Sequence, residues 1–407
     1  MENNRQVDRL WTASYVLACL ATFMLSMSFF LLVPTLPFYL SDTYGIDKST
    51  IGLVLSCYVV AVLCVRPFAG FVADTFPRKT VYIVAYSLFV LAFVGYLVIP
   101  SILWVFIMLR VFHGLAFGAL NTTANTLVID VMPSSRRGEG LGYYGVGNNL
   151  AMAFGPMIGL FIISSGNYVA LFTTSLVCSC AGLCIALCVR VKKKSRPVKA
   201  NSPLSLDRFI LKAGLPAAGS FVLLAIPYGI TSSYIAVYAD YLGLEKGAGL
   251  FFTVQAFGLI LSRLRSGKLV DHGMVTQVVR KGIFFALFGI LGQVLLQTVF
   301  SWNYHAGVVL YFVSAFILGF GFGTLFPAFN TLFINLAPHT RRATANATYL
   351  TGWDLGIGLG MLIGGALSEI YFPLCFAVGL LLAVISFVYF IVFVTPHYND
   401  HKLENNG

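Results

Sequence analysis

The sequence predicts an all-α membrane protein with twelve spanning helices in two pseudo-symmetric six-helix bundles. Three observations carry that expectation. The 407 residues are 58% hydrophobic and 10% charged, with a mean hydropathy of +0.86, whereas soluble domains carry about 25% charged residues. The stretch NTLVIDVMPSSRR at Asn125–Arg137 returns as NTLFINLAPHTRR at Asn330–Arg342, identical at seven of thirteen positions and displaced by 205 residues. A repeat at half the chain length marks a duplicated architecture. Third, the net charge of +11 is concentrated in alternate loops, the pattern of cytoplasmic membrane segments rather than of a nucleic-acid-binding face.

A spanning helix needs about 20 apolar residues. Twelve stretches meet that requirement: 13–40, 48–73, 79–99, 101–130, 139–165, 167–190, 210–239, 246–270, 277–300, 304–335, 342–369 and 371–395. The first is too long for a signal-peptide core and is followed by no small-residue cleavage site, so it reads as a span. Most connections are short. The exception, 191–209, is polar and basic and contains Pro197 and Pro203. It is expected to be a solvated linker between an N-terminal bundle, 1–190, and a C-terminal bundle, 210–407. With the N-terminus in the cytoplasm, nearly every Lys and Arg falls on the inner side, and only Lys48 and Lys246 fall outside. Both termini are therefore expected in the cytoplasm.

The first span carries Pro34 and Pro37 near its outer end, where a kink is expected. Between the second and third spans, Arg66, Gly70 and Asp74 recur as Arg263, Gly267 and Asp271 between the eighth and ninth, 197 residues on. The glycines permit close helix approach. The acids stand at helix ends, where they can pair with arginines or face a helix N-terminus. The segment reads as a topogenic loop or as a conformational latch.

The stretch GFVADTFPRK, Gly70–Lys79, resembles the G-x-x-x-D-R-x-G-R-K loop of the major facilitator superfamily, with Thr75 and Pro77 departing from that pattern. The resemblance covers essentially the whole chain and is to the twelve-helix drug:proton antiporters. It implies two bundles about a central cavity, with alternating access by rocking of the halves. It also implies that Asp74 and Arg78 stabilise one closed state.

In the fourth span, Arg110, Gly114, Gly118, Asn121 and Asn125 form one helical stripe. Arg110 lies about 14 Å from the span's start at 1.5 Å per residue. A guanidinium at that depth is costly and should face protein or a wet cavity. The stretch resembles the superfamily's R-x-x-x-G signature, associated with proton coupling. His113 is its neighbour, either a titrating group or a packed neutral imidazole. In the fifth span, Gly145, Gly155, Pro156 and Gly159 resemble the antiporter pattern G-x-x-x-G-P-x-x-G, which implies export. Cys180, Cys184 and Cys188 in the sixth span read as small packing residues, without the His or acid a metal site would want.

Tyr234 and Tyr238 in the seventh span stand on a stripe with Pro227 and Thr231 that reads equally as a cavity wall and as a packing face. Gln255 in the eighth is a deep amide, and Asn121 and Asn149 are further candidates for a substrate cavity. In the eleventh span, Asp354 lies about 18 Å from the span's start. A carboxylate at mid-membrane is a proton-carrier candidate or a satisfied structural acid. At the repeat offset of 205, Arg110 corresponds to Ala315 and Asp354 to Asn149. Each half thus has one deep charge its twin lacks, and duplication alone does not explain them.

The expected function is export of a small organic molecule (drug-like, sugar or metabolite) across the cytoplasmic membrane in exchange for protons. Uptake by symport and a non-transporting sensor are the alternatives. The partners expected are the substrate, protons and the bilayer, with no nucleic acid, cofactor or metal, and the protein is expected to be a monomer. No nucleophile elbow, zinc-protease or phosphate-loop pattern is present in the sequence, so an enzyme is not expected.

Overall fold

The structure is a computed structural model and describes residues 9–98, 102–133, 136–191, 210–244, 247–338 and 341–403. Apart from Val191, the expected linker at 191–209 lies outside the described residues, as do the side chains of Asp74 and Asp271.

Every regular element among the described residues is helical. Among the described residues, eleven helical stretches are long and apolar enough to cross a membrane, and Leu250–Arg263 supplies a shorter one. This last belongs to α9, Leu250–Asp271. Its second half reads SRLRSGKLVD, and those basic residues cut the apolar window short without ending the helix.

The expected first span is two helices, α1 (Ala13–Phe30) and α2 (Leu36–Tyr44), rather than one kinked rod. Pro34 offers no N–H and biases Val33 out of the helical region. Pro37 then sits in the first turn of α2, where a missing donor costs nothing. The end of α2 is set by Gly45 at φ 60°, whose N–H bonds Ser41 O at 2.9 Å. Asp47 starts α3 (Lys48–Thr75): its carboxylate accepts from the Thr50 hydroxyl at 2.5 Å and the Thr50 N–H at 3.2 Å. Those bonds hold the Asp47 carboxyl below its ordinary pKa.

The remaining helices are α4 (Arg78–Val98), α5 (Leu103–Val131), α6 (Arg137–Ile163), α7 (Tyr168–Cys188), α8 (Leu215–Tyr241), α10 (Val275–Trp302), α11 (Tyr304–Asn335), α12 (Arg342–Ile370), α13 (Phe372–Tyr389) and α14 (Thr395–His401). A five-residue π turn, Phe390–Val394, joins α13 to α14. Pro156, Pro227 and Pro327 all lie inside continuous helices.

The chain forms two compact units. One contains α1, α3 from Ala61 onward and α4–α7; the other contains α2, α3 up to Val60 and α8–α14. The first part of α3 joins the second unit because glycines let its backbone touch α12. A Cβ at Gly52 would stand 2.7 Å from Met361 O, and one at Gly365 would stand 2.8 Å from Gly52 Cα. At the start of α3, the Lys48 N–H donates to Glu369 Oε2 at 2.9 Å, and Nζ lies 4.5 Å over the Phe372 ring.

Close backbone approach recurs through the second unit. On α12, Gly360 faces Gly229 Cα of α8 at 3.0 Å from its would-be Cβ, and Gly229 faces Ile357 O at 2.6 Å. On α10, Gly289 meets Leu318 N of α11 at 2.7 Å. Between lipid-soluble helices the apolar effect gives little net attraction, so van der Waals packing at small residues does much of the holding. Buried polar pairs add specificity. The Thr231 hydroxyl bonds Gln293 Oε1 and the carbonyl of Pro227, each at 2.9 Å, and Ser220 and Ser386 meet at 2.8 Å.

Among the described residues, the first unit shows fewer such seams. Gly118 of α5 meets Val62 Cα of α3 at 3.1 Å, and Gly155 of α6 meets Phe30 Cβ at 2.7 Å. Gly70, Gly267 and Gly145 do not act this way, contrary to expectation: a Cβ there meets nothing within 4 Å among the described residues.

Gly360→Val is therefore expected to destabilise the protein by about 1–3 kcal/mol or more, as over-packing does, whereas Gly145→Ala leaves stability within about 0.5 kcal/mol. Thermal unfolding of the purified variants in detergent checks the contrast. Equal melting temperatures for the two would refute the assignment of Gly360 to a backbone contact.

Candidate functional site

In the first unit the site grows from α5. Arg110 is 3% exposed and His113 fully buried, on a helix whose neighbouring turns carry the buried Gly114 and Gly118. The Tyr96 hydroxyl of α4 lies 2.9 Å from His113 Nδ1. Phe89 and Phe93 hold the imidazole with ring centroids at 5.0 Å each, and Tyr96 at 5.6 Å. These rings form an aromatic box around the imidazole. Arg110 is near enough for its charge to act on that ring.

About three and four turns beyond Arg110 on α5, Asn121 and Asn125 are half-buried and joined: Asn125 Nδ2 donates to Asn121 Oδ1 at 2.9 Å and to its carbonyl at 3.0 Å. In the same unit, α1 and α6 are tied by polar pairs. Thr22 bonds the Tyr144 hydroxyl at 3.2 Å, and Ser26 bonds Asn148 Oδ1 at 2.8 Å. Asn149 is half-buried beside that pair. On the same helix Gly155 is pressed against the end of α1, with Pro156 and Gly159 buried next to it. The α6 motif thus fixes the packing of α6 against the point where α1 breaks.

Arg78 has a partner that sequence reasoning missed. It forms an ion pair with Asp130 of α5 at 2.7 Å, with the acid side chain only 7% exposed. Asp130 stands near the end of α5, and the repeat marks it: its counterpart at the offset of 205 is Asn335. Lys79, next in the chain, donates to Leu187 O of α7 at 2.9 Å. The basic residues at the start of α4 therefore tie it to α5 and α7.

In the second unit the site grows from α12. Asp354 is half-buried, and the adjacent Trp353 stands in an aromatic wall. Its ring centroid lies 4.7 Å from Phe326 and 6.0 Å from Phe322 of α11, and 4.9 Å from Tyr228 and 5.4 Å from Phe221 of α8. Tyr349, one turn before Trp353, stacks on Phe221 at 4.9 Å. Tyr349 is within charge range of both Asp354 and Arg263 of α9. Arg263, expected at a loop, is instead a half-buried helical residue beside this cluster. The wall was visible in the sequence as aromatic pairs at four-residue spacing, Phe322 with Phe326 and Tyr349 with Trp353, but such pairs are common in apolar helices.

Tyr234 and Tyr238 pack instead of lining open space. Their exposures are 1% and 0%. The Tyr234 hydroxyl donates to Met361 O at 3.0 Å, and the Tyr238 hydroxyl accepts from the Gln297 N–H at 3.2 Å. The Tyr238 ring stacks on Phe372 and Phe376, both at 5.2 Å. Gln255 is also buried, with its carbonyl at the close approach of Gly319 on α11.

The sequence profile of the Major Facilitator Superfamily matches residues 18–302 and 273–407. A staphylopine export protein of Staphylococcus aureus is 22% identical over 371 residues, covering 86% of this chain and 89% of its own. The quinolone resistance protein NorA of the same organism is 25% identical over 382 residues, covering 90% and 93%. Among solved structures, a POT family transporter in complex with 5-aminolevulinic acid superposes with a TM-score of 0.76 at 14% identity, covering 94% of this chain and 96% of that one. The profile matches nearly the whole chain, and that transporter shares its fold: the chain belongs to the Major Facilitator Superfamily and is a multi-pass membrane transport protein.

Proposed function

We propose that the protein exports a small organic molecule across the cytoplasmic membrane in exchange for protons, by alternating access. Its halves, 1–190 and 210–407, would move about the linker, with both termini in the cytoplasm. The observation that carries the reading is the position of Asp354, half-buried beside the Trp353 aromatic wall. A carboxylate deep in a span is costly and marks proton or substrate pathways. An aromatic wall next to it offers stacking and cation–π contacts to a planar apolar or cationic molecule. Protonation and substrate occupancy need only favour different states of the carrier to be coupled. Arg110 is the second element, a nearly buried guanidinium in α5 that its repeat counterpart Ala315 lacks. It tunes or gates the cycle. Asp74, with Asp271 and the adjoining glycines, is assigned to the cytoplasmic gate, with Arg78 held on Asp130 in this state.

The direction is supported by relatives whose names specify export or resistance, and by the α6 motif at Gly155 and Pro156. Uptake predicts the opposite flux under the same gradient.

Asp354→Asn is expected to lower proton-driven transport by at least about tenfold with unchanged elution and melting temperature. Flux of a fluorescent cationic dye from proteoliposomes with an imposed pH gradient measures it, and wild-type flux in that variant would remove Asp354 from the mechanism. Arg110→Ala is expected to cost about tenfold or more in the same assay, with Arg110→Lys intermediate because it keeps the charge but not the planar fork. Dye accumulation driven in the direction of the proton gradient, instead of against it, would replace export with symport.

A further inference from the structure

Away from the site, a groove of about 670 Å³ runs between α10 and α13. On the α10 side it begins with Gln277, Arg280 and Lys281 and continues with Phe284 and Phe285. On the α13 side it is closed by Phe387 and by Ile391 of the π turn. At 1.5 Å per residue, Arg280 stands about 8 Å and Phe284 about 14 Å from the first residue of α10. The groove is therefore polar and cationic at one end and aromatic one turn deeper.

The opposite side of α10, with Val278, Val279, Gly282 and Ile283, is buried. The groove side is exposed, Phe284 at 50% and Phe285 at 37%. In a spanning helix such an exposed side faces lipid. The two cations are unlike the adjacent basic pair that opens α4. Arg78 has Asp130, and Lys79 caps a carbonyl of α7. Arg280 and Lys281 have no carboxylate partner among the described residues. The π turn opposite them interrupts the α-helical ladder of the last span and leaves Ile391, Val392 and Phe393 all exposed. Such turns are frequent at functional positions.

We propose that this groove is a binding site for one anionic phospholipid. The lipid phosphate accepts hydrogen bonds from the Arg280 guanidinium and the Lys281 ammonium, and an acyl chain lies along Phe284, Phe285, Phe387 and Ile391. Charge complementarity selects the headgroup: two unpaired cations at headgroup depth attract an anion, and a guanidinium matches phosphate oxygens two at a time. The apolar length below selects a lipid over a free anion.

The full-length protein in detergent, titrated with phosphatidylglycerol, phosphatidylcholine or inorganic phosphate and followed by native mass spectrometry and thermal shift, tests the site. Wild type is expected to bind phosphatidylglycerol at least about tenfold more tightly than phosphatidylcholine, and R280Q/K281Q is expected to reduce that preference to within about twofold. I391W, which fills the groove and leaves both cations in place, is expected to weaken phosphatidylglycerol binding as well. Equal wild-type affinity for the two lipids overturns the proposal without reference to any variant. So does an unchanged preference in R280Q/K281Q, and so does displacement of phosphatidylglycerol by millimolar phosphate alone, which would make the groove a bare anion site.

Discussion

The structure depends on close approach of helix backbones. In a bilayer each helix satisfies its own peptide groups, and burying another leucine surface gains little over lipid. The remaining attraction is short-range packing, which is strongest where no side chain intervenes. The second unit is held in this way, with Gly360 against Gly229 and Gly289 against Leu318. The same rule draws the first part of α3 to α12 through Gly52 and Gly365. A helix continuous from Lys48 to Thr75 therefore contributes one stretch to each compact unit.

Against that tightly packed frame the deep charges stand out. Arg110 is almost wholly enclosed, and Asp354 is half-enclosed beside an aromatic wall. Neither is needed to make the duplicated scaffold, since Ala315 and Asn149 stand at the matching positions. The repeat thus separates residues that the two halves share from residues that one half alone carries. Asp130 also differs from its twin: it pairs with Arg78, while the amide of Asn335 donates to the Tyr398 hydroxyl at 2.9 Å.

The apolar spans were legible in the sequence because hydropathy is a one-dimensional quantity. The break of α1 was half legible: Pro34 and Pro37 announced a distortion, but whether a proline kinks or ends a helix depends on the neighbouring backbone. Glycine spacing was the least faithful guide. Gly155 and Gly360 sit at backbone contacts, while a Cβ at Gly145 or Gly70 meets nothing within 4 Å among the described residues, and only the partner helix decides between them. The role of the Trp353 wall was hidden for a similar reason. Its members come from α8, α11 and α12, far apart in sequence and joined only by folding.

The π turn at Phe390–Val394 also sets the rotational phase of α14. One residue of a helix corresponds to about 100° of rotation. The extra residue in that turn rotates α14 relative to the line of α13. In the rotated position, His397 Nε2 lies 2.9 Å from Ala213 O just before α8, and the Leu403 N–H reaches the carbonyl of Asn335, the last residue of α11, at 3.0 Å. The C-terminal segment is docked by a count of residues rather than by its composition. Removing one residue from the turn would swing both contacts away from their partners while leaving every side chain of α14 unchanged.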